Sequence, residues 1–144
     1  MKKLLQRLTI IIILITVQFV SKAQNAITMH KVVIQLNTAD TAAWSGTIGN
    51  IKNLQKVWPG AIQVEVVAHG KGLDLLVKAK THLAAEVEAL VKEGVVFSAC
   101  ENSMKKHNVT KADLLLVVGT VPSGVAELVL KQEQGWSYLK ASVN

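Results

Sequence analysis

Residues 62–68 read Ile-Gln-Val-Glu-Val-Val-Ala, a short, mostly β-branched run that is followed directly by His69-Gly70. A run with so few polar interruptions predicts a strand that is covered on both faces, as strands of parallel sheets are. Similar runs before and after it predict strands at Lys31–Leu36, Val95–Ala99 and Leu114–Val121, with a short fifth strand at Ser137–Ala141.

Helical periodicity fills the segments between these strands. Three helices are predicted, each with a start or stop signal: 44–58 with the stop Trp58-Pro59-Gly60, 81–94 with the cap Thr81 and the stop Gly94, and 123–135 with the cap Ser123 and the stop Gly135. Apolar residues at helical spacing define the buried faces of the last two, namely Leu83, Val87, Leu90 and Val91, then Val125, Leu128 and Val129.

Strands separated by helices predict right-handed βαβ units. The expected fold is therefore α/β, a three-layer α/β/α sandwich with a mostly parallel sheet of about five strands. In such sheets ligands bind in the crevice at the carboxyl ends of the strands. Function is expected where the predicted strands end, at Asn37, His69, Cys100 and Thr120.

The first 23 residues have the three-part order of a secretory signal peptide. Basic residues precede an apolar run at Leu8–Val20, and Ser21-Lys22-Ala23 ends on a small residue suited to cleavage. The run is shorter than the roughly 20 residues of a membrane-spanning helix, which disfavours the alternative of an uncleaved anchor. Residues 24–144 are then one domain, periplasmic or secreted, with no stable membrane insertion after cleavage.

Removing the predicted signal peptide changes the charge of the chain. The full chain has 16 basic and 10 acidic residues, a net charge of +6, but Lys2, Lys3, Arg7 and Lys22 lie in that segment. The mature chain has 12 basic and 10 acidic residues, a net charge of +2. Its lysines are spread along the chain and do not form the basic stripe that tracks phosphates, so no nucleic-acid partner is expected.

The single cysteine, Cys100, excludes an internal disulfide and is the main candidate for chemistry. It follows a predicted strand and precedes a short polar segment that can form a helical turn. A thiol at a helix N-terminus faces free backbone N–H groups, which favour the nucleophilic thiolate. The neighbouring Glu101 opposes ionisation, and Lys105 and Lys106 could offset it. A buried, inert cysteine is the equally weighted alternative.

Other polar residues give weaker signals. His69-Gly70 opens a loop, where His69 suits a proton donor, a thiolate partner or simply a satisfied histidine at a strand end. Ser123-Gly124 leads into a helix whose free amides could bind a small anion, although a plain helix cap is the favoured interpretation. No metal site is expected, because there is no second cysteine and no histidine pair at ligand spacing.

Several stretches, in order along the chain, resemble the DsrE/DsrF-like proteins of sulfur oxidation and relay systems. They are Val67-Ala68-His69-Gly70, Gly94-Val95-Val96-Phe97-Ser98-Ala99-Cys100-Glu101-Asn102-Ser103-Met104, Val121-Pro122-Ser123-Gly124-Val125 and Gln134-Gly135-Trp136-Ser137-Tyr138-Leu139. The resemblance implies a three-layer α/β/α fold that assembles as an oligomer. It also implies that Cys100 carries a persulfide between partner proteins.

On this resemblance the chain is expected to be an exported sulfur carrier that exchanges sulfur with donor and acceptor proteins. The exchange is thiol chemistry and needs no metal or organic cofactor. The expected pocket around Cys100 comprises His69, Gly70, Asn37, Asn102, Thr120, Ser123 and Gly124. The alternative is a non-catalytic, oligomeric module of the same fold that binds a small ligand or a protein.

Overall fold

The computed structural model describes residues 28–141, so the predicted signal segment, residues 1–23, lies outside the described residues. Five strands form one sheet in the order β4-β3-β2-β1-β5, and every pairing is parallel. The strands are β1 His30–Leu36, β2 Ile62–Ala68, β3 Val96–Cys100, β4 Gly119–Val121 and β5 Ser137–Lys140. The predicted parallel α/β fold is confirmed.

Four α-helices connect the strands: α1 Thr41–Val57, α2 Ala84–Lys92, α3 Glu101–Lys106 and α4 Gly124–Glu133. Two 3₁₀ segments, Gly70–Leu76 and Lys111–Asp113, follow β2 and α3. The connections from β1 to β4 all step in one direction across the sheet, and the connection from β4 returns to β5 at the opposite edge. Right-handed crossovers therefore place α4 on one face and the other helices on the other face.

The two faces of the sheet carry very unequal cores. The face that packs against α1 and α2 holds the main cluster of buried apolar side chains, including Trp44, Ile51 and Phe97. The face under α4 holds a small cluster of Val33, Val67 and Leu128. Because one ten-residue helix covers this second face, polar side chains can occupy much of it.

A buried ion pair takes up part of the face under α4, which we call the thinly covered face. The side chain of Glu65, 3% exposed, accepts a hydrogen bond from the Ser98 hydroxyl at 2.7 Å and pairs with Lys131 Nζ of α4 at 2.5 Å. Burial lowers the pKa of Lys131, but Glu65 and then Glu127 raise it, and the net shift is upward. Lys131 therefore stays charged, and its pairing with Glu65 holds α4 on the sheet.

The predicted fourth strand, Leu114–Val121, is wrong over its first five residues. Leu114 forms an isolated antiparallel bridge with Val77, the Leu115 N–H donates to the Leu76 carbonyl at 3.0 Å, and the chain then turns. Leu116 is consequently 91% exposed, and only Gly119–Val121 joins the sheet. The apolar run predicts a buried strand, but its backbone pairs with the segment after β2 instead of joining the sheet.

Smaller differences concern helix ends and faces. Helix α2 begins at Ala84, and the Thr81 hydroxyl accepts a hydrogen bond from the Leu83 N–H ahead of it. In α4, Leu128 is buried as predicted, whereas Val125 and Val129 are exposed. The predicted cap Ser123 and the stop signals Gly94 and Gly135 are confirmed, both glycines having positive φ.

The loop after β2 passes so close to the end of β1 that only glycine fits at position 72. A Cβ added to Gly72 would lie 2.2 Å from the backbone oxygen of Leu36. Gly46, in the middle of α1, has open space around the corresponding position. The two glycines form a matched pair for testing the packing of this loop.

We expect Gly72→Ala to lower the free energy of unfolding by about 2 kcal/mol or more, because the backbone must shift to relieve the overlap. Gly46→Ala should raise it by roughly 0.5–1 kcal/mol, since alanine is the better helix former. Urea unfolding of both variants measures the difference. Equal stability of Gly72→Ala and the wild type would contradict this packing.

Candidate functional site

The carboxyl ends of β2 and β3 bring the main candidate residues together. Ala68 pairs with Ala99 across these strands, so His69 and Cys100 follow at neighbouring positions. Neighbouring strands lie about 4.8 Å apart. Cys100 is both the last residue of β3 and the N-cap of α3, as the sequence indicated, although the strand ends one residue later than predicted.

Gly124, the first residue of α4, covers the sulfur of Cys100. Its backbone N–H donates a hydrogen bond to Cys100 Sγ at 3.2 Å. A Cβ at this position would lie 3.0 Å from His69 Cβ, 3.2 Å from Cys100 Cβ and 3.3 Å from Val67 Cγ1. Glycine thus lets the start of α4 approach the sulfur without pressing these neighbours apart. Ser123, the cap of α4, keeps this turn in place through a bond from the Ala126 N–H.

Ser103 links the cysteine to the loop after β2. Its hydroxyl oxygen accepts a hydrogen bond from the Gly70 N–H at 2.8 Å, and Gly70 has a φ of +53° that favours glycine. The same hydroxyl is one of the groups that lower the pKa of Cys100. The sequence analysis assigns Ser103 no role of its own and includes it only in a stretch that resembles the family. The signal for it is its spacing, since it lies three residues after Cys100, about one helical turn along α3.

The environment of the sulfur favours its ionised form. Burial raises the pKa of Cys100, but hydrogen bonding from the Ser103 hydroxyl and from the backbone N–H groups of Gly124, Ser103 and Asn102 lowers it by more. Of these amides, Gly124 forms the hydrogen bond of regular geometry, and the two at the start of α3 act as nearby dipoles. The net pKa lies below that of an ordinary cysteine.

The sulfur is also well covered. Cys100 is 4% exposed, and its neighbours Ser103 and Gly124 are buried, while Asn102 on the outer side is exposed. Cys100 is thus buried, and N–H and O–H groups lie around its sulfur; that the thiol is reactive stays a prediction. The expected roles of Glu101, Lys105 and Lys106 are not seen, since none of them is among the causes of the pKa shift.

The remaining predicted residues lie around this centre without touching the sulfur. The Thr120 hydroxyl donates to the Glu101 carboxylate at 2.8 Å, which holds that carboxylate toward β4. Asn37 contributes its backbone: its carbonyl oxygen would lie 3.7 Å from a Cβ on Gly70. The side chain of Asn37 is exposed and makes no hydrogen bond among the described residues.

His69 has partners that the sequence analysis missed. Gln35 Nε2 lies 2.7 Å from His69 Nε2, and the Tyr138 hydroxyl donates a short hydrogen bond to Gln35 Oε1. Burial lowers the pKa of His69, so the imidazole is neutral at neutral pH. The sequence signal for Gln35 is its spacing: it follows Val33 by two residues, so both side chains lie on the same face of β1, the face under α4.

Within residues 28–141, no group of three or more His, Cys, Asp or Glu side chains is arranged to hold a metal ion. No helix in this part of the chain is long and apolar enough to cross a membrane. Fold and site together define a parallel α/β protein with one cysteine set among N–H and O–H groups at the carboxyl edge of the sheet.

Comparison with known proteins identifies the family. Residues 10–141 match the model of the DsrE/DsrF-like family. MTH1491 from Methanobacterium thermoautotrophicum, a protein of unknown function, is 31% identical, with a TM-score of 0.74 over 77% of this chain and 98% of that one. The chain belongs to the DsrE/DsrF-like family.

Two further solved structures share the fold at lower identity. The ychN protein from E. coli is 12% identical, with a TM-score of 0.62 over 78% of this chain and 99% of its own. The conserved protein BT1422 from Bacteroides thetaiotaomicron, also of unknown function, is 14% identical, with a TM-score of 0.60 over 76% and 93%. No curated protein of similar sequence was found.

The role of Ser103 is testable by titration. We expect Ser103→Ala to raise the pKa of the Cys100 thiol, because the variant loses one of the groups that stabilise the thiolate. The pH midpoint of alkylation by iodoacetamide should move upward. Ser45→Ala, in an exposed part of α1, is the control and should leave the midpoint unchanged. An unchanged midpoint in Ser103→Ala would show that the hydroxyl does not act on the sulfur.

Proposed function

We propose that this protein is a sulfur carrier in which Cys100 accepts sulfane sulfur from a donor and passes it to an acceptor thiol. Membership of the DsrE/DsrF-like family suggests a sulfur-relay-like role. The observation that carries the proposal is the set of N–H and O–H groups around the sulfur of Cys100, the single cysteine of the sequence. These groups favour the thiolate, which is the form that attacks sulfur.

The proposed transfer is an exchange between thiols and persulfides. The Cys100 thiolate attacks the outer sulfur of a donor persulfide, a new S–S bond forms at Sγ, and the S–S bond of the donor breaks. The electron pair of the broken bond remains on the inner sulfur of the donor, which leaves as a thiolate and takes up a proton from water. The transferred sulfur keeps its oxidation state, so the step consumes no oxidant or reductant.

The polarised site suits both halves of this cycle. A thiol of lowered pKa has a larger thiolate fraction at neutral pH for the attack, and it is also a better leaving group when an acceptor removes the outer sulfur. The same N–H groups can stabilise the anion of the bound persulfide. Because Cys100 is covered, the donor must be small or must displace the turn at Ser123-Gly124.

A non-catalytic binding module is the second candidate, and the 4% exposure of Cys100 is the observation that favours it. In that case the crevice would hold a ligand, and the thiol would serve as a buried hydrogen-bond acceptor for α4. The two functions differ in one respect: only the carrier forms a covalent bond with sulfur.

The family resemblance implies an oligomer, and we also propose that copies of the chain associate through the thinly covered face. Exposed apolar side chains lie there on α4, at Val125 and Val129, and on the sheet, at Val96 and Tyr138. Sedimentation should show an oligomer that Val125→Glu weakens and that Val57→Glu, an equally exposed position on α1, leaves intact. A monomeric wild type would refute the assembly.

Export is part of the proposal, and it rests on the order of residues at the N-terminus. Lys2, Lys3 and Arg7 precede the apolar run, and Ala23 ends the cleavage motif. A carrier outside the cytoplasm would need protection of its thiol from oxidation, which the burial of Cys100 supplies. The mass of the native protein tests this, since cleavage after Ala23 leaves residues 24–144.

Sulfur uptake is read directly by intact mass spectrometry. After incubation with glutathione persulfide, the wild type should gain about 32 Da, the mass of one sulfur atom, and dithiothreitol should remove it. Cys100→Ser should gain nothing, because the chain then has no thiol. Its thermal unfolding should remain cooperative, which separates lost chemistry from lost folding. A wild type without the adduct would support the binding module instead.

A further inference from the structure

A row of polar side chains crosses the thinly covered face next to Cys100. It begins at Tyr138 on β5, continues through Gln35 on β1 and ends at His69 after β2. Tyr138 and Gln35 are 103 residues apart in the chain, and the order of the sheet brings them together. We refer to these three residues as the Tyr–Gln–His chain.

The hydrogen bonds of this chain have a direction. The Tyr138 hydroxyl donates to Gln35 Oε1, which leaves the Gln35 amide nitrogen facing His69 Nε2 at 2.7 Å. An amide nitrogen can only donate, so His69 Nε2 must accept. A neutral imidazole that accepts at Nε2 carries its proton on Nδ1. The Tyr–Gln–His chain therefore selects one of the two tautomers of His69.

The other ring nitrogen remains available for a ligand. His69 Nδ1 has no hydrogen-bond partner among residues 28–141, and no buried side-chain nitrogen or oxygen in that range lacks a partner. Nδ1 is therefore in contact with solvent. His69 and Cys100 also lie on the same side of the turn at Gly124, because a Cβ on Gly124 would lie 3.0 Å from His69 Cβ and 3.2 Å from Cys100 Cβ. A sulfur compound bound at Cys100 would therefore lie beside His69.

We propose that the Tyr–Gln–His chain holds His69 as the neutral Nδ1–H tautomer so that Nδ1 donates a hydrogen bond to the sulfur compound at Cys100. This inference rests on the proposed sulfur-carrier function and assigns a role within it. His69 would contact the substrate, whereas Gln35 and Tyr138 would be positioning residues that act through it.

The assigned role belongs to one step of the exchange. When Cys100 Sγ bonds to the outer sulfur of a donor persulfide, negative charge develops on the inner sulfur as the donor S–S bond breaks. A hydrogen bond from Nδ1 stabilises that charge in the transition state, where it is worth more than in the ground state. His69 keeps its proton, and the departing thiolate is protonated by water.

The tautomer can be measured without any substitution. Two-bond ¹H–¹⁵N correlation spectra distinguish imidazoles protonated at Nδ1 from those protonated at Nε2. We expect the Nδ1–H pattern for His69 at neutral pH, with His30, His82 and His107 as internal references and His69→Asn to assign the signals. An Nε2–H pattern would overturn the inference, because it would mean that Gln35 accepts from His69 in the opposite amide orientation.

Kinetics test the role. Gln35→Glu offers an acceptor to Nε2 and, at a pH at which the spectra show a neutral ring, should move the proton to that nitrogen. At that pH the rate of sulfur uptake from glutathione persulfide should fall roughly tenfold to hundredfold, as for His69→Asn. Tyr138→Phe should slow uptake roughly threefold to tenfold. Gln63→Glu makes the same change at an exposed position of β2 and should leave the rate unchanged.

The outcomes separate this inference from the function on which it rests. If the wild type takes up no sulfur, the carrier proposal fails and the role of His69 fails with it. If the wild type takes up sulfur and Gln35→Glu shifts the His69 tautomer without slowing uptake, the carrier proposal stands and this inference is wrong. Slower uptake together with the shifted tautomer supports both.

Discussion

The contact between the Gly124 N–H and the sulfur of Cys100 is the constraint on which the site depends. It joins the end of β3 to the start of α4, and the hydrogen bond from the Gly70 N–H to the Ser103 hydroxyl ties the loop after β2 to the same place. Glycine suits this contact, because a Cβ at position 124 would lie 3.0–3.3 Å from His69, Cys100 and Val67 and would press these neighbours apart. The same approach that polarises the sulfur also covers it.

The topology of the sheet explains why this arrangement is possible. Three successive crossovers place their helices on one face and build the main core there, which leaves one helix of the described part of the chain for the other face. The face with the small apolar core holds the ion pair of Glu65 with Lys131 and the Tyr–Gln–His chain. The main core on the opposite face supplies most of the buried apolar contacts. The polar side chains needed for chemistry thus lie where few apolar contacts are given up.

Much of the fold could be predicted from the sequence because its signals are local. Runs of mostly apolar and β-branched residues predict the strands at Ile62–Ala68 and Ser137–Lys140. Glycines predict the helix ends, because glycine readily adopts the positive φ found there. The segment Leu114–Val118 could not be distinguished from a strand, since its pairing with the chain after β2 is not local. Cys100 and His69 were found from their places at strand ends. Gln35 and Tyr138 were missed because their hydrogen bonds join residues far apart in the chain.

The central claim is that hydrogen bonding outweighs burial and makes Cys100 more acidic in the folded protein. The ultraviolet absorbance of the thiolate, followed against pH in the folded wild type and in the same chain unfolded in urea, measures this with no variant and no partner. The account predicts a lower pKa in the folded chain. A folded pKa equal to or above the unfolded one would contradict it, since burial would then dominate the environment of the sulfur.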